Sequence, residues 1–183
     1  MILALPFFLG AILIAVMVHL TSLLALPGFA TNDAYARLGR DAPVDQVTPL
    51  TQAQVAALGL PFYDRSFETA VCKYDLSAGV LRLRAPSPDT MLLVTLIARG
   101  GNVYFSVSDR AAIKGLVEVL VGTDAQIEQI EASDKDDEVL GELRVRAPKP
   151  QGVALIRVFA PDETSRARAA EDAAQASCQI ETL

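Results

Sequence analysis

The chain has 183 residues, of which 51% are hydrophobic and 21% charged, and its formal net charge is −6. This length allows one ordinary domain with a small additional segment, and the composition excludes a disordered chain and a basic, nucleic-acid-binding protein. A single histidine and two cysteines exclude a histidine-based zinc site and a four-cysteine metal site.

The first part of the chain, residues 1–30, is predicted to be a transmembrane anchor. Residues 2–26 form an apolar run whose only polar side chains are His19, Thr21 and Ser22. A helix of this length extends roughly 37 Å, which is enough to cross a hydrocarbon core of about 30 Å. Pro27 and Gly28 predict the end of the helix. We therefore expect contact with a lipid bilayer through residues 2–26.

A cleaved signal peptide is the alternative to a retained anchor, because small residues around Ala30 and around Ala36 suit a signal peptidase. The start of the chain carries no lysine or arginine, however, and the apolar run exceeds the roughly 7–15 residues that are usual for a signal peptide. These two features favour the retained anchor.

Two signals conflict on the side of the membrane that the remaining chain occupies. Arg37 and Arg40 follow the span and no basic residue precedes it, which by the positive-inside rule places the domain in the cytoplasm. Large domains, however, are translocated largely regardless of nearby charge, and an even pair of cysteines suits an oxidising compartment.

Cys72 and Cys178 are compatible with two states. A disulfide between them would tie down the C-terminal tail and would stabilise the fold by about 4–5 kcal/mol in the chain-entropy model. Two buried free thiols fit the sequence equally well.

Residues 31–69 are predicted to form a helical linker region. A first short helix is expected over residues 31–38, with a cluster of N-cap residues at its start. A second helix is predicted to begin at Thr48-Pro49, since threonine caps a helix and proline suits its first position. It is expected to end at Gly59. An aromatic cluster follows, formed by Phe62, Tyr63 and Phe67.

Residues 70–183 are predicted to form a β-rich domain. Alternating or continuous apolar runs predict six strands, over residues 80–84, 91–98, 103–107, 116–121, 141–147 and 153–160. Amphipathic or alanine-rich segments predict two helices, over residues 124–133 and 163–177.

An internal repeat relates residues 79–94 to residues 141–156. Both copies read Gly-x-Leu-Arg-x-Arg-Ala-Pro-x-Pro and continue into an apolar strand. Because proline cannot donate to a strand ladder, each copy is predicted to be a β-hairpin with its prolines in the turn. The predicted fold class is α+β: one N-terminal transmembrane helix, then a mainly antiparallel β domain with two repeated hairpins and a C-terminal helix.

The repeat also predicts a basic face. Adjacent hairpins would place four guanidinium groups on one face, those of Arg82, Arg84, Arg144 and Arg146. Arginine binds carboxylates and phosphates bidentately, so this face is a candidate ligand or partner surface. A solvated sheet face balanced by nearby acids is the alternative, and we favour it.

Signatures of catalysis are missing from the sequence. There is no Gly-x-Ser-x-Gly elbow, no phosphate-binding loop and no dinucleotide fingerprint, and the single histidine lies inside the predicted span. We therefore assign no catalytic residue, no metal ligand and no cofactor, and we favour a protein without enzymatic activity.

Several short blocks resemble a known family. Cys72-Lys-Tyr-Asp-Leu-Ser-Ala-Gly79, Arg84-Ala-Pro, Asp89-Thr, Gly101-Asn-Val-Tyr and Ser108-Asp-Arg110 are similar to the domain of unknown function 1254, in its short, singly anchored version from alphaproteobacteria. The resemblance implies a β-rich periplasmic domain on a single-pass inner-membrane anchor. Met91 and Leu92 replace aromatic residues of the family, which puts an aromatic-lined pocket in doubt.

The resemblance also bears on partners and ligands. Longer relatives carry a second domain, the domain of unknown function 1214, which implies that a separately encoded envelope membrane protein of that type is the partner here. The family has no established reaction. A ligand-facing set, if the family has one, matches Tyr74, Asp75, Asn102, Asp109 and Arg110, and the alternative, which we favour, is that these residues hold turns together.

The sequence is compatible with two functions. The first is an interaction or accessory subunit of a cell-envelope membrane complex that pairs with a separately encoded partner domain. The second is an envelope enzyme or a binder of anionic glycans or lipid head groups. It would use either the four arginines or a group formed by Asp75, Asn102 and Asp109, and it requires a concave pocket.

Overall fold

The computed structural model describes residues 5–29, 33–38, 40, 42–59, 64–133 and 141–183. The chain divides into two units, residues 1–32 and residues 33–183. The first contains helix α1, Leu5–Phe29, whose segment Phe7–Leu26 has a mean hydropathy of 2.4 and is not buried. This helix is long and apolar enough to cross a membrane. The predicted stop at Pro27-Gly28 lies within two residues of the observed end, since α1 includes both residues in its last turn, where few hydrogen bonds remain to be lost.

The second unit contains four helices and nine strands among its described residues. In chain order they are α2 Ala34–Leu38, β1 Val47–Leu50, α3 Gln52–Ala57, β2 Phe67–Asp75, β3 Val80–Pro86, β4 Leu92–Ala98, β5 Val103–Ser108, β6 Leu116–Gly122, α4 Asp124–Ser133, β7 Glu142–Arg146, β8 Gln151–Phe159, α5 Arg166–Ala174 and β9 Ser177–Glu181. The mixed α+β class with an antiparallel sheet-rich domain is confirmed.

The strands form two sheets. The five-stranded sheet has the order β1-β2-β8-β4-β5, and the four-stranded sheet has the order β7-β6-β3-β9. All neighbouring strands are antiparallel except β6 and β7, which are parallel. One large apolar cluster unites side chains from both sheets and from α5, so the sheets pack face to face as a sandwich.

Alternation along the strands separates the core from the outer faces. In β3, Leu81 and Leu83 are fully buried against the opposite sheet, whereas Arg82 and Arg84 point to the other side. β4 is buried along nearly its whole length, and five of the nine residues of β8 are buried, because both strands occupy inner positions of the five-stranded sheet. Burial of this apolar area is the main source of stability.

A disulfide between Cys72 of β2 and Cys178 of β9 connects the two sheets. Both cysteines are buried, and they lie 106 residues apart in the sequence. Of the two states that the sequence allows, the structure therefore contains the disulfide.

The two repeats are not hairpins, which corrects the prediction. β3 belongs to the four-stranded sheet and β4 to the five-stranded sheet, and β7 and β8 are divided in the same way. Each repeat is therefore an arch that crosses from one sheet to the other. The physical reason lies in the second strand, which is apolar on both faces and needs a central position, while the first strand alternates. Pro86 ends β3, and the three remaining prolines, Pro88, Pro148 and Pro150, lie in the connections.

The predicted second helix begins later than expected. Thr48 and Pro49 lie in β1, and α3 is capped by Thr51, whose Oγ1 accepts from the Gln54 amide at 3.2 Å while the Gln54 side chain accepts from the Thr51 amide. This reciprocal capping box outweighs the Thr-Pro signal, and proline is tolerated because β1 is an edge strand. Gly59, with φ of +58°, follows the helix as predicted. Phe62 and Tyr63 lie outside the described residues.

The last predicted helix is shorter than expected and is followed by a strand. α5 ends at Ala174, and β9 then pairs with β3. The short, mixed segment Ser-Cys-Gln-Ile-Glu carries too weak a pattern to indicate a strand, and its pairing with β3 supplies the missing stabilisation.

Candidate functional site

An open groove of about 620 Å³ lies on the outer face of the four-stranded sheet. We call it the outer groove. Its floor comes from β3, β6, β7 and β9, and its walls come from Ile130 of α4, from the turn at Ile113-Lys114 and from the last two residues. The lining residues are Val80, Arg82, Ile113, Lys114, Leu116, Glu118, Leu120, Ile130, Gly141, Glu142, Arg144, Glu181, Thr182 and Leu183.

Strand register brings the two repeats together in this groove. Arg82 of β3 pairs with Leu120 of β6, and Arg144 of β7 pairs with Leu120 from the other side. Equivalent arginines of the two copies therefore flank one leucine in the same row of the sheet. The next row joins Arg84, Glu118 and Glu142 in the same manner. All these side chains share a face because residues two apart along a strand do.

Arg82 forms ion pairs with three glutamates. Its Nη1 donates to Glu118 at 2.8 Å and also to Glu142, and its Nε donates to Glu181 at 2.8 Å. Burial alone would lower the pKa of Arg82, but the hydrogen bonds to the three carboxylates outweigh it and raise that pKa. Burial alone would likewise raise the pKa of Glu118, yet hydrogen bonds from Arg82 and Arg84 hold it below its ordinary value.

The other three arginines of the face also pair with carboxylates. Arg84 Nη2 lies 2.9 Å from Glu118, and Arg144 Nε lies 3.2 Å from Glu142. Arg146 lies 2.9 Å from Glu131 of α4. An incoming anion would therefore have to displace existing ion pairs, and the geometry favours a balanced polar floor over an anion site.

A turn with two left-handed residues forms part of the wall of the groove. Ile113 and Leu116 form an isolated bridge, and the residues between them, Lys114 and Gly115, have φ of +53° and +79°. Glycine adopts this conformation readily, whereas lysine does so at a cost. The side chains of Ile113 and Lys114 are exposed at the rim.

Tyr74 lies in the core and not at a ligand surface. Its hydroxyl lies 2.5 Å from that of Tyr104, and burial raises the pKa of Tyr74 to about 12. A side chain at Gly152 could not coexist with this tyrosine, since a Cβ there would lie 2.1 Å from its hydroxyl. Tyr74 thus spans the space beneath β8 and packs the sandwich.

Asp75, Asn102 and Asp109 do not converge. Asp75 accepts from the amide and hydroxyl of Ser77 and from Gln151, which holds the turn after β2 and lowers the pKa of Asp75. Asn102 and Asp109 lie at opposite ends of β5, about 20 Å apart along the strand. Asp109 accepts from the Leu92 amide at 3.1 Å, and Arg110 beside it is exposed. These residues do not form one pocket.

Sequence reasoning missed the glutamates of the groove. Glu118 is the single charge in an otherwise apolar strand, and Glu142 directly follows the first glycine of the second repeat. Glu118 lies between the buried Val117 and Val119, and Glu142 precedes Leu143, which packs against the core, so this alternation is the signal that could have placed both glutamates opposite the arginines. Among the residues that the structure describes, no group of three or more His, Cys, Asp or Glu side chains is arranged to hold a metal ion.

Comparisons with known proteins support a family and a fold. A family model described as a protein of unknown function, DUF1254, matches residues 69–181. No curated protein matches the sequence. The VPA0106 protein from Vibrio parahaemolyticus is similar in structure, with a TM-score of 0.55 and 12% identity over 80% of this chain and 33% of that chain.

An uncharacterised protein from Burkholderia cenocepacia is also similar, with a TM-score of 0.51 and 16% identity over 76% of this chain and 35% of that chain. At such identities the likeness concerns the fold alone, and this chain spans about a third of the length of those proteins. The family model, in contrast, covers more than half of the sequence, including both cysteines and the strands that form the groove floor. The chain belongs to the DUF1254 family.

Proposed function

We propose that the protein is a membrane-anchored interaction subunit on the periplasmic side of an inner membrane. In this proposal the outer groove binds a segment of a separately encoded envelope membrane protein. That partner carries a domain of the type called domain of unknown function 1214. The observation that carries it is the outer groove itself, which is open and whose charged floor is already neutralised by its own ion pairs.

Two features support the location. Helix α1 has the length and hydropathy of a membrane span. The Cys72–Cys178 disulfide suits an oxidising compartment, because thiols are kept reduced in the cytosol. An anchor followed by a disulfide-bonded domain is the arrangement expected of a protein that faces the periplasm.

The chemistry of the groove supports a protein occupant. Its apolar lining includes Ile113, which is 49% exposed, together with Leu116 and Ile130. A protein segment could bury these apolar side chains without leaving a charge of the floor unpaired, because the floor charges already pair with one another. Binding of an anionic glycan or lipid head group is less well supported, because all four arginines of this face already pair with glutamates.

A pull-down of the tagged full chain from detergent extracts tests the proposal. We expect the wild type to recover one membrane protein stoichiometrically, and Ile113→Glu to reduce that recovery at least tenfold, because a buried unpaired charge would replace an apolar contact. Met91→Glu is the matched control, since Met91 is 45% exposed and lies before β4 in the other sheet. Recovery of a lone chain, or equal losses in both variants, would contradict the proposal.

A further inference from the structure

The four sheet edges of the described residues differ in how they are protected. Edge strands expose unpaired backbone groups and are normally blunted by proline, charge or a covering element. β1 contains Pro49, β7 carries Glu142 and two arginines, and β9 is held by its disulfide and ends in a glutamate. Three of the four edges therefore have a feature that opposes pairing with another strand.

β5 is the exception. Its sequence, Val-Tyr-Phe-Ser-Val-Ser, contains neither a charge nor a proline. It pairs with β4 on one side, and on the other side the described residues provide no strand. Val103 is 61% exposed and Ser106 is also exposed. A neutral, β-branched and aromatic edge of this kind is a template for a further strand.

The irregularity of β5 leaves most of this edge usable. The register with β4 shifts between Leu96 and Ile97, which lie opposite the beginning of β5. From Phe105 to Ser108 the pairing with β4 is regular. A bulge twists an edge away from a partner only locally, so the regular part keeps its row of outward N–H and C=O groups.

We propose that β5 pairs antiparallel with β5 of a second copy of this chain, which joins two five-stranded sheets into one. A twofold axis through such a pair uses the same surface on both copies, so each favourable contact occurs twice and the assembly closes at a dimer. The absence of charge along β5 favours self-pairing, because like charges that face each other across strands destabilise a sheet. Self-pairing of β7 would bring together arginines of the two copies.

The charges that flank β5 favour the antiparallel direction. Arg99 precedes the strand, and Asp109 and Arg110 follow it. Antiparallel copies place the Arg99 end of one strand beside the Asp109-Arg110 end of the other, which carries one charge of each sign, whereas parallel copies would place Arg99 beside Arg99. The antiparallel second copy therefore offers complementary backbone groups and avoids this repulsion between like charges.

Mass measurement and cross-linking of the full chain in detergent micelles test this pairing. We expect the wild type to have twice the chain mass and a Ser106→Cys variant to form an intermolecular disulfide under mild oxidation. Met91→Cys, which is also exposed but lies outside β5, is the matched control and should stay uncross-linked.

Charge at the edge should break the dimer without unfolding the domain. The double variant Val103→Lys and Ser106→Lys should lower the dimer fraction at least tenfold, because it places lysines of two copies opposite each other. Circular dichroism and retention of the native disulfide check that the variant is folded. A monomeric wild type, a dimer that survives in the folded lysine variant, or cross-linking from residue 106 to a different protein would each overturn the proposal.

Discussion

The two faces of the four-stranded sheet use the same strands for different purposes. On the inner face, Leu81, Leu83 and Val119 are fully buried, and Cys178 connects to the opposite sheet. On the outer face, arginines and glutamates pair with one another around an open groove. Successive residues of one strand thus point alternately into the apolar core, which the disulfide crosses, and onto a surface whose charges are paired.

The contrast separates the face that stabilises the domain from the face that is proposed to bind a partner. The inner face stabilises the sandwich by apolar burial and by the disulfide, neither of which depends on a partner. The outer face has its charges balanced internally, so it can remain exposed without a large field and still present apolar side chains to another protein. The two faces should therefore respond differently to substitution.

The largest effect is expected on the inner face, from removal of the disulfide. The double variant Cys72→Ala and Cys178→Ala should lower the free energy of unfolding by about 4–5 kcal/mol, because a loop of 106 residues is no longer closed in the unfolded chain. Urea unfolding of the full chain in detergent, followed by circular dichroism, measures this loss. A loss below about 1 kcal/mol would contradict the assigned role, because the disulfide would then contribute little to the stability of the sandwich.

A smaller effect is expected at the centre of the outer face. Arg82→Met should lower the free energy of unfolding by roughly 2–3 kcal/mol, because it leaves three carboxylates close together without their shared cation. Arg84→Met is the matched control. Its side chain is 45% exposed and pairs with one glutamate, so less than about 1 kcal/mol should be lost. Equal losses in the two variants, measured by the same urea unfolding, would contradict the central role of Arg82.

The smallest effect on the free energy of unfolding is expected when the pH is lowered, and it again distinguishes the outer face from the inner one. The pKa of Glu118 is lowered in the folded chain, so its stabilisation is present above the ordinary glutamate pKa of about 4.3 and is lost as the pH falls through the lower folded value. The wild type should exceed Glu118→Gln in stability by about 1 kcal/mol at pH 7.

That difference should shrink towards zero in acid, below the ordinary glutamate pKa. Unfolding curves of both proteins between neutral and acid pH measure it. A difference that stays constant or grows as the pH falls would mean that the charge of Glu118 does not stabilise the fold.

Much of the fold could be predicted because its strands carry strong local patterns. The alternation in β3 and the continuous apolar run of β4 placed one strand with a wet face and one buried strand. α4, Asp124–Ser133, has the predicted bounds. Local patterns do not indicate the sheet to which each strand belongs. A hairpin and an arch both consist of a strand, a proline-rich connection and a second strand, so the sequence does not distinguish them. β9 was missed because its stabilisation comes from β3 and from a distant cysteine.

The candidate site was predicted only in part, for a related reason. The repeat identified Arg82 and Arg144 and suggested that they share a face. Two partners of Arg82, Glu118 and Glu181, come from β6 and β9, whose positions beside β3 depend on the topology. The left-handed backbone conformation of Lys114, at the rim of the outer groove, likewise follows from the turn and not from the local sequence pattern.

The central claim is that an anchored domain faces the periplasm, and a pair of reporters fused after Leu183 tests it most directly. One reporter enzyme is active only after export to an oxidising compartment, and one fluorescent protein is fluorescent only in the cytoplasm. The account predicts activity of the exported reporter in the membrane fraction and no fluorescence from the other. Fluorescence of the cytoplasmic reporter together with an inactive exported reporter would contradict it.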